Sequence, residues 1–307
     1  MRIVRDPVQM PPCVLVLGMF DGVHRGHQAL LTAGRRLGKA LGLPVTVCAF
    51  EPHPLAVLRP DAAPPRLTTL TERARLMAES GVDALCVTAF TAARAEQEPE
   101  AFLDELAQVY RPAAVVCGFN FTFGRGGRGN SELLCAYGES RGFEVSVVPE
   151  VMLLGETVSS TRIRRLLSMG ALDEATALLG HLYTLTGRVG PGKHIGRTMG
   201  FPTANVTPPP GKALPAFGVY ACRMEAEGRT YPAVVNVGRH PTLPEGGVTV
   251  EAYVLNTRLS LYGKKVRLTF MNYLRPERRF ESVEALREQI ACDTRDAQRY
   301  FRAMKII

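Results

Sequence analysis

The most constraining feature of the sequence is a regular alternation of short apolar segments with longer helical patterns through its first half. Strands are predicted at 14–17, 45–50, 84–87, 113–117 and 145–148. Helices are predicted between them at 28–41, 72–80, 99–110 and 131–141. Short apolar strands that alternate with helices indicate a parallel sheet covered on both faces. In sheets of this kind, ligands bind beyond the carboxyl ends of the strands.

The pattern changes near Gly180. Beyond it the apolar segments are short, often alternating, and interrupted by glycine and proline, at 183–189, 218–224, 233–237, 248–255 and 265–270. This pattern predicts a small antiparallel barrel or sandwich. Ser282 is placed to cap a final helix that runs to about Met304. The chain of 307 residues is therefore expected to form two domains, 1–180 and 181–307.

Composition excludes several classes of protein. No apolar run approaches the length that spans a bilayer, and the first residues lack the apolar stretch of a signal peptide. We therefore expect a cytoplasmic protein without a membrane partner. The seven cysteines are odd in number and form no C-x-x-C pair, which favours buried free thiols over disulfides or a zinc site. A net charge of +8 favours anionic partners without identifying them.

The strongest functional signal directly follows the first of these predicted strands. Residues 18–27 read Gly-Met-Phe-Asp-Gly-Val-His-Arg-Gly-His, and a helix follows. Glycines let the backbone approach a ligand closely, and a helix N-terminus attracts phosphate. Two histidines three positions apart face the same way and can stabilise a leaving pyrophosphate. The residues assigned to ATP are Gly18, Phe20, Asp21, Gly22, His24 and His27. Two ordinary surface histidines, or a metal-binding pair, are the alternatives, but no nearby residue completes a metal site.

Two later stretches are candidates for the same pocket. Ser160, Thr161 and Arg164 open a predicted helix and form either a second anion clamp or an ordinary cap with solvated arginines. The segment 118–130 follows another strand and ends in an Arg-Gly-Gly tail. Such tails bind RNA, but this one is not repeated and lies inside a folded domain. A mobile loop over a phosphorylated substrate is the favoured interpretation.

A second group of motifs lies in the second half. Residues 187–193 match G-x-x-x-x-G-K, but the glycines and proline that follow leave no room for the helix that a P-loop requires. Thr203 and Asn205 would share one face of a strand, and their oxygen atoms match the ligands that Mg²⁺ prefers. Local hydrogen bonding within a loop is the alternative. Glu251 lies in an alternating segment, where spacing alone favours a solvent-facing side chain over a catalytic one.

Together these motifs resemble the bacterial bifunctional riboflavin kinase/FMN adenylyltransferase family, also called FAD synthetase. The resemblance covers nearly the whole chain. Its motifs are 18–27, 50–54, 118–124, 159–164, 196–205, Pro215 with 218–220, 236–238 with 241–242, Glu251, and 274–275 before Phe280.

The resemblance implies two coupled reactions that require Mg²⁺. Riboflavin and ATP give FMN and ADP, and FMN and a second ATP give FAD and pyrophosphate. It also implies an α/β, Rossmann-like nucleotidylyltransferase domain with a parallel sheet, and an antiparallel six-stranded riboflavin kinase barrel with a C-terminal helix. The partners are then small molecules rather than nucleic acid, and a homo-oligomer is left open.

The resemblance also implies residue roles. Glu251 corresponds to the base for the ribityl hydroxyl, while Thr203 and Asn205 correspond to the Mg²⁺–ATP positions. His24, His27 and Arg164 would balance charge on the leaving pyrophosphate. The further ATP positions are Ser160, Thr161, Gly192, Gly196 and Gly200, and the flavin positions are Pro54, Asn120 and Arg275. Two residues depart from the family pattern: Asn120 stands where many relatives carry Asp, and Tyr253 replaces a common His.

Two other functions remain as alternatives. One is a different adenylyl- or cytidylyltransferase with a binding barrel, which requires that Thr203, Asn205 and Glu251 do not converge. The other is an RNA-binding regulator that uses Arg125 and Arg128. It predicts RNA affinity that falls steeply with salt, and no turnover.

Overall fold

The computed structural model describes residues 1–191, 201–239, 248–257 and 259–306. The chain forms two compact units, Met1–Ser160 and Thr161–Ile307. By its contacts the segment 161–180 belongs to the second unit, whereas the sequence places it in the first domain. The domain boundary at residue 180 stays a prediction.

The first unit is built on a parallel sheet, which confirms the predicted fold class. Its strands are β1 Arg2–Arg5, β2 Cys13–Leu17, β3 Val45–Glu51, β4 Ala84–Ala89, β5 Pro112–Gly118 and β6 Glu144–Val148. The strand order is β1-β4-β3-β2-β5-β6, and every pair is parallel. Strand β1 was not predicted, because this edge strand is mostly exposed and its ends are arginines.

Helices cover both faces of this sheet. They are α1 Arg25–Leu41, α2 Pro54–Leu58, α3 Leu70–Glu79, α4 Ala92–Ala95, α5 Pro99–Tyr110 and α6 Ser131–Arg141. Leu31 and Met77 belong to the buried cluster on one face, and Leu103 and Leu134 belong to the cluster on the other. Short 3-10 turns span Pro60–Ala62 and Arg125–Gly127, and a small hairpin pairs β7 Met152–Leu153 with β8 Glu156–Thr157. The layers therefore leave the strand ends as the place for a site.

The second unit is a closed antiparallel barrel rather than a sandwich. Its elements are α7 Ser160–Ser168, α8 Leu172–Leu179, β9 Thr184–Gly190, β10 Thr203–Thr207, β11 Gly218–Ala226, β12 Arg229–Arg239, β13 Val248–Val254, β14 Lys265–Pro276 and α9 Val283–Ala303. The strand order around the barrel is β10-β13-β12-β11-β14-β9. The Ala285 N–H donates to Ser282 Oγ at 3.1 Å, which confirms the predicted cap of the last helix.

Helix α9 identifies the outer face of the barrel. Ala297 and Phe301 of this helix pack in one cluster with Val219, Ala221 and Val234. A helix cannot lie inside so small a barrel, so these strand residues point outward. In β13, Val250 and Ala252 are buried and point inward. Because side chains alternate along a strand, Glu251 between them lies on the outer face.

Two predictions from composition are also tested. All seven cysteines are free thiols, and five of them are buried, as expected. Among the residues that the structure describes, no helix has the length and apolarity needed to cross a membrane.

Candidate functional sites

The first candidate site is the turn between β2 and α1, whose backbone is strained. Phe20, Gly22 and Val23 have φ values of 55°, 85° and 43°. Two of these three residues carry side chains, and such residues rarely adopt positive φ. Strain of this kind persists only where surrounding contacts hold it, and it concentrates at functional sites.

Asp21 supplies much of that support. Its carboxylate is buried and accepts hydrogen bonds from the backbone N–H of Leu67 at 3.0 Å and of Thr68 at 2.9 Å. The Thr68 hydroxyl also donates to Asp21, at 3.2 Å, and accepts from the Gly22 N–H at 3.0 Å. The Ser160 hydroxyl donates to the Asp21 carbonyl at 2.8 Å. These contacts show that Asp21 anchors the turn; direct contact with ATP stays a prediction.

The two histidines of the motif form a stacked pair. The ring centroids of His24 and His27 are 3.6 Å apart and the planes differ by 17°. His24 caps α1, because its Nδ1 accepts the His27 backbone N–H at 3.4 Å. In the neutral His24 ring the proton therefore lies on Nε2. The His27 Nδ1 is buried and has no hydrogen-bond partner among the described residues. Since an orphaned buried N–H is rarer than an orphaned acceptor, the His27 proton also lies on Nε2.

Burial also keeps His27 neutral. Desolvation lowers its pKa well below the usual value, and electrostatic interactions with His24 and with the Arg73 guanidinium lower it further. The His27 side chain therefore offers a neutral Nε2–H donor at the start of α1. Together with the N-terminal N–H groups of that helix, it can hydrogen-bond phosphate oxygens.

The motif glycines are explained by close packing. A Cβ at Gly26 would lie 3.1 Å from His24 Cε1 and 3.2 Å from its Nδ1. A Cβ at Gly18 would lie 3.0 Å from the Phe20 ring. Glycine at both positions therefore lets the aromatic rings of the turn lie directly against the backbone.

The other residues predicted for this site lie on separate elements. Pro54 is the first residue of α2, which His53 caps, and Asn120 is exposed in the turn after β5. Thr161 and Arg164 lie on α7, at the start of the second unit. Their binding roles stay predictions.

A cavity that the sequence did not predict lies at the carboxyl ends of β3 and β4. Its volume is about 90 Å³, and its lining includes Phe50, Thr88, Phe102 and Tyr110. Arg94 also lines it and binds both carboxylate oxygens of Glu105, at 2.8 and 3.1 Å. The place agrees with the rule that ligands bind beyond the carboxyl ends of parallel strands.

The arginines of the Arg-Gly-Gly segment make ion pairs with neighbouring glutamates. Arg125 pairs with Glu96 at 3.0 Å, and Arg128 pairs with Glu98. Their charges are thus partly neutralised by the protein itself, which weakens the RNA-binding alternative.

The second candidate site is a row of side chains across the barrel. Strand register places Glu251 of β13 directly opposite Asn205 of β10 on one side and Asn236 of β12 on the other. Thr203 lies two residues before Asn205, opposite Tyr253. Residues directly opposite each other in an antiparallel pair share a face, so these side chains lie on the outer face.

This row contains donor atoms that Mg²⁺ prefers. A hydroxyl and an amide oxygen are hard oxygen ligands, so Thr203 and Asn205 fit the ion. The Glu251 carboxylate lies directly opposite Asn205. The Asn205 amide nitrogen faces the Pro191 carbonyl at 3.5 Å, which leaves its oxygen as the acceptor end. No cluster of three or more His, Cys, Asp or Glu occurs in the described part of the chain, so a metal site of the zinc type has no support there.

Arg275, predicted as a flavin residue, joins β14 to α9. Its guanidinium binds both oxygens of Asp293, with Nε–Oδ1 at 2.8 Å and Nη2–Oδ2 at 2.7 Å. Asp293 is buried and also accepts from Gln289 at 2.7 Å. Asp293 was not predicted from the sequence, where its one signal is a carboxylate on the core-facing side of α9. The predicted ATP residues Gly192, Gly196 and Gly200 lie outside the described residues.

The family of this chain follows from its similarity to known proteins. The FAD synthetase family model matches residues 6–162, and the riboflavin kinase family model matches residues 179–301. The bifunctional riboflavin kinase/FMN adenylyltransferase of Escherichia coli K12 is 38% identical over 291 residues, which is 94% of this chain and 93% of that protein. The chain belongs to this family. The enzyme of that name from Listeria monocytogenes is 36% identical over 94% of this chain and 92% of its own length.

One solved structure has a similar fold over nearly the whole chain. The crystal structure of a macrolide-efflux protein from Streptococcus pneumoniae has a TM-score of 0.89 and is 28% identical to this chain. The alignment covers 97% of this chain and 99% of the Streptococcus pneumoniae chain. The likeness therefore includes both the parallel-sheet unit and the barrel unit.

Proposed function

We propose that the two reactions of the family take place at two separate sites, the first at the turn between β2 and α1 and the second on the barrel. The chain phosphorylates riboflavin with ATP to give FMN and ADP, and adenylylates FMN with a second ATP to give FAD and pyrophosphate. The observation that carries the two-site proposal is the separation of the two family matches. The first covers the turn with His24 and His27, and the second covers Asn205 and Glu251.

In the first site, adenylylation needs no covalent intermediate. An FMN phosphate oxygen attacks the α-phosphorus of ATP in line, and negative charge develops on the leaving pyrophosphate. The Nε2–H groups of His24 and His27 and the N-terminus of α1 balance that charge. Arg164 is proposed to add positive charge, with Ser160 and Thr161 as further phosphate donors. Pro54 and Asn120 are proposed to contact the flavin.

In the second site, Glu251 takes the proton of the ribityl hydroxyl. The hydroxyl oxygen attacks the γ-phosphorus of ATP, the bond between that phosphorus and the β-phosphate oxygen breaks, and ADP leaves. Asn205 lies directly opposite Glu251. This register supports a site in which the base lies beside a residue that holds the Mg²⁺ of Mg²⁺–ATP. We propose that Thr203 and Asn205 hold Mg²⁺, which neutralises phosphate charge when bound. Arg275 is proposed to contact the flavin from the end of β14. A cytoplasmic location is also part of the proposal.

The test uses the purified full chain with riboflavin and Mg²⁺–ATP, followed by chromatographic separation of the flavins. Both FMN and FAD should appear, and omission of Mg²⁺ should abolish FMN formation. Formation of FAD from supplied FMN without any FMN from riboflavin would exclude the kinase half.

A further inference from the structure

A buried arginine on α3 connects the two segments that leave β2 and β3. The Arg73 side chain is only 5% exposed. Its Nη1 donates to the Met19 carbonyl at 2.9 Å, and its Nη2 donates to Glu51 Oε2 at 2.6 Å. Burying an unpaired guanidinium costs free energy, so the bonds to Met19 and Glu51 fix the position of the Arg73 side chain. Met19 follows the end of β2, and Glu51 is the last residue of β3.

The contact with Met19 acts on the turn between β2 and α1, which belongs to the motif 18–27 and is called the phosphate turn below. The Met19 carbonyl belongs to the same planar peptide as the Phe20 N–H, and in a trans peptide these two groups point in opposite directions. Holding the carbonyl therefore fixes the direction of the Phe20 N–H. Phe20 has a φ of 55°, so its backbone needs such external support.

The contact with Glu51 acts on the segment 52–54, which follows it and contains Pro54. Glu51 also accepts a hydrogen bond from Arg66, at 3.2 Å. Arg66 is 38% exposed on its side chain, so Arg73 is the more deeply buried of the two cations that neutralise this carboxylate. Arg66 already neutralises part of the Glu51 charge. Charge neutralisation therefore does not explain why Arg73 also donates a hydrogen bond to the Met19 carbonyl.

We propose that Arg73 is a positioning residue for FMN adenylylation. By binding Met19 and Glu51 at once, it sets the distance between the phosphate turn and the segment that carries Pro54. This inference rests on the proposed function, in which the first segment binds ATP and the second contacts FMN. In-line attack requires the two reacting atoms to be about 3–3.5 Å apart, and a displacement of about 1 Å can cost ~10²-fold in rate.

The experiment uses the full chain and measures kcat and KM for FAD formation from FMN. Arg73→Met should lower kcat by ~10²-fold, while both KM values stay within about threefold of wild type. Arg73→Lys should give an intermediate loss, because an ammonium cannot reproduce the fork of the guanidinium. Riboflavin phosphorylation in the same preparation should be unchanged. The matched control is Arg75→Met on the same helix, since Arg75 only pairs with Glu79 at a half-exposed position.

A double variant separates positioning from charge neutralisation. Arg73→Met with Glu51→Gln removes both charges, so thermal stability should recover relative to Arg73→Met, but kcat should stay low because Met19 is still not held. Recovery of kcat to within about threefold of wild type would overturn the proposal. If Arg73→Met does not fold, Arg73→Lys decides: a wild-type kcat for FAD formation in that variant contradicts it. Absence of FAD formation in the wild-type chain would instead contradict the proposed function.

Discussion

The two candidate sites are specified in different ways. The phosphate turn is local: its motif occupies residues 18–27, and its shape depends on positive φ values and on the buried Asp21. The barrel site is assembled from distant positions, because Asn205, Asn236 and Glu251 meet only through strand register. A site formed by one turn can therefore be disturbed through its backbone, whereas a site formed by strand register depends on single side chains.

The chemistry of the two sites differs in the same sense. In the proposed mechanism the first site offers neutral N–H donors to developing negative charge, whereas the second offers oxygen ligands and a carboxylate base. Loss of one donor among several should then cost less than loss of the base.

The largest effect is expected for Glu251→Gln. This change removes basicity but keeps the size of the side chain, so FMN formation should fall by ~10²–10⁴-fold. FAD formation from supplied FMN should persist and serves as the control for folding. Glu227→Gln is the matched variant, since Glu227 is an exposed barrel residue that pairs with Lys264. Near-normal phosphorylation by Glu251→Gln would show that Glu251 is only a strand residue.

The second effect concerns His27→Ala. Loss of one positioned donor to the leaving pyrophosphate should lower FAD formation by ~10²–10³-fold, while riboflavin phosphorylation stays normal. Both rates are measured on the same preparation, with the exposed Lys39→Ala on α1 as the control. Equal loss of the two activities in a well-folded variant would argue against separate sites.

A third prediction tests where the barrel unit begins. The Ala216 N–H donates to the Leu167 carbonyl at 2.8 Å, and Leu167 and Leu178 are buried. A fragment of residues 161–307 should therefore be more stable than one of residues 181–307, by about 2–4 kcal/mol for the lost apolar burial. Urea unfolding and riboflavin phosphorylation of both fragments provide the measurement. Equal stability would place the domain boundary at residue 180, as the sequence predicted.

A smaller effect is expected for Gly26→Ala. The added methyl group would press on the His24 ring at about 3.1 Å and shift it by a few tenths of an ångström. FAD formation should fall by ~10-fold, because the donors to the phosphate are misplaced. Thr32→Ala, at an exposed position of the same helix, should have no effect. An unchanged rate in Gly26→Ala would mean that the His24 ring moves without consequence.

The smallest effect is a dependence of stability on pH. Folded His27 has a lowered pKa because it is buried, whereas the unfolded imidazole titrates near 6.5. Below that pH the unfolded state binds a proton that the folded state does not. The free energy of unfolding should then fall as the pH is lowered, by at most ~1.4 kcal/mol per pH unit. His27→Gln should show a shallower slope in urea unfolding from about pH 8 to 5. Equal slopes of the free energy of unfolding against pH in wild type and His27→Gln would contradict a buried neutral imidazole.

Much of the fold was predictable because its signals are local. The helices Pro99–Tyr110 and Ser131–Arg141 have the predicted bounds, since proline at the start of one and glycine after the other mark their ends. The elements that were missed have weak local signals: β1 is an exposed edge strand, and α8 is a short helix between two glycines. The local pattern left a barrel or a sandwich open, because closure depends on which strands pair. The family resemblance implied the six-stranded barrel, and the structure confirms it.

In the candidate sites, too, local features were predicted from the sequence and contacts between distant segments were not. The sequence alone determined the strand–turn–helix motif around His24 and His27, because consecutive residues of one turn are close in any fold that forms it. It also indicated the oxygen ligands Thr203 and Asn205, two residues apart on one strand. Only the tertiary structure brought Glu251 beside Asn205 and placed Arg73 between Met19 and Glu51. Such contacts join segments far apart in the chain, so they depend on strand register and helix packing, which no local pattern of residues encodes.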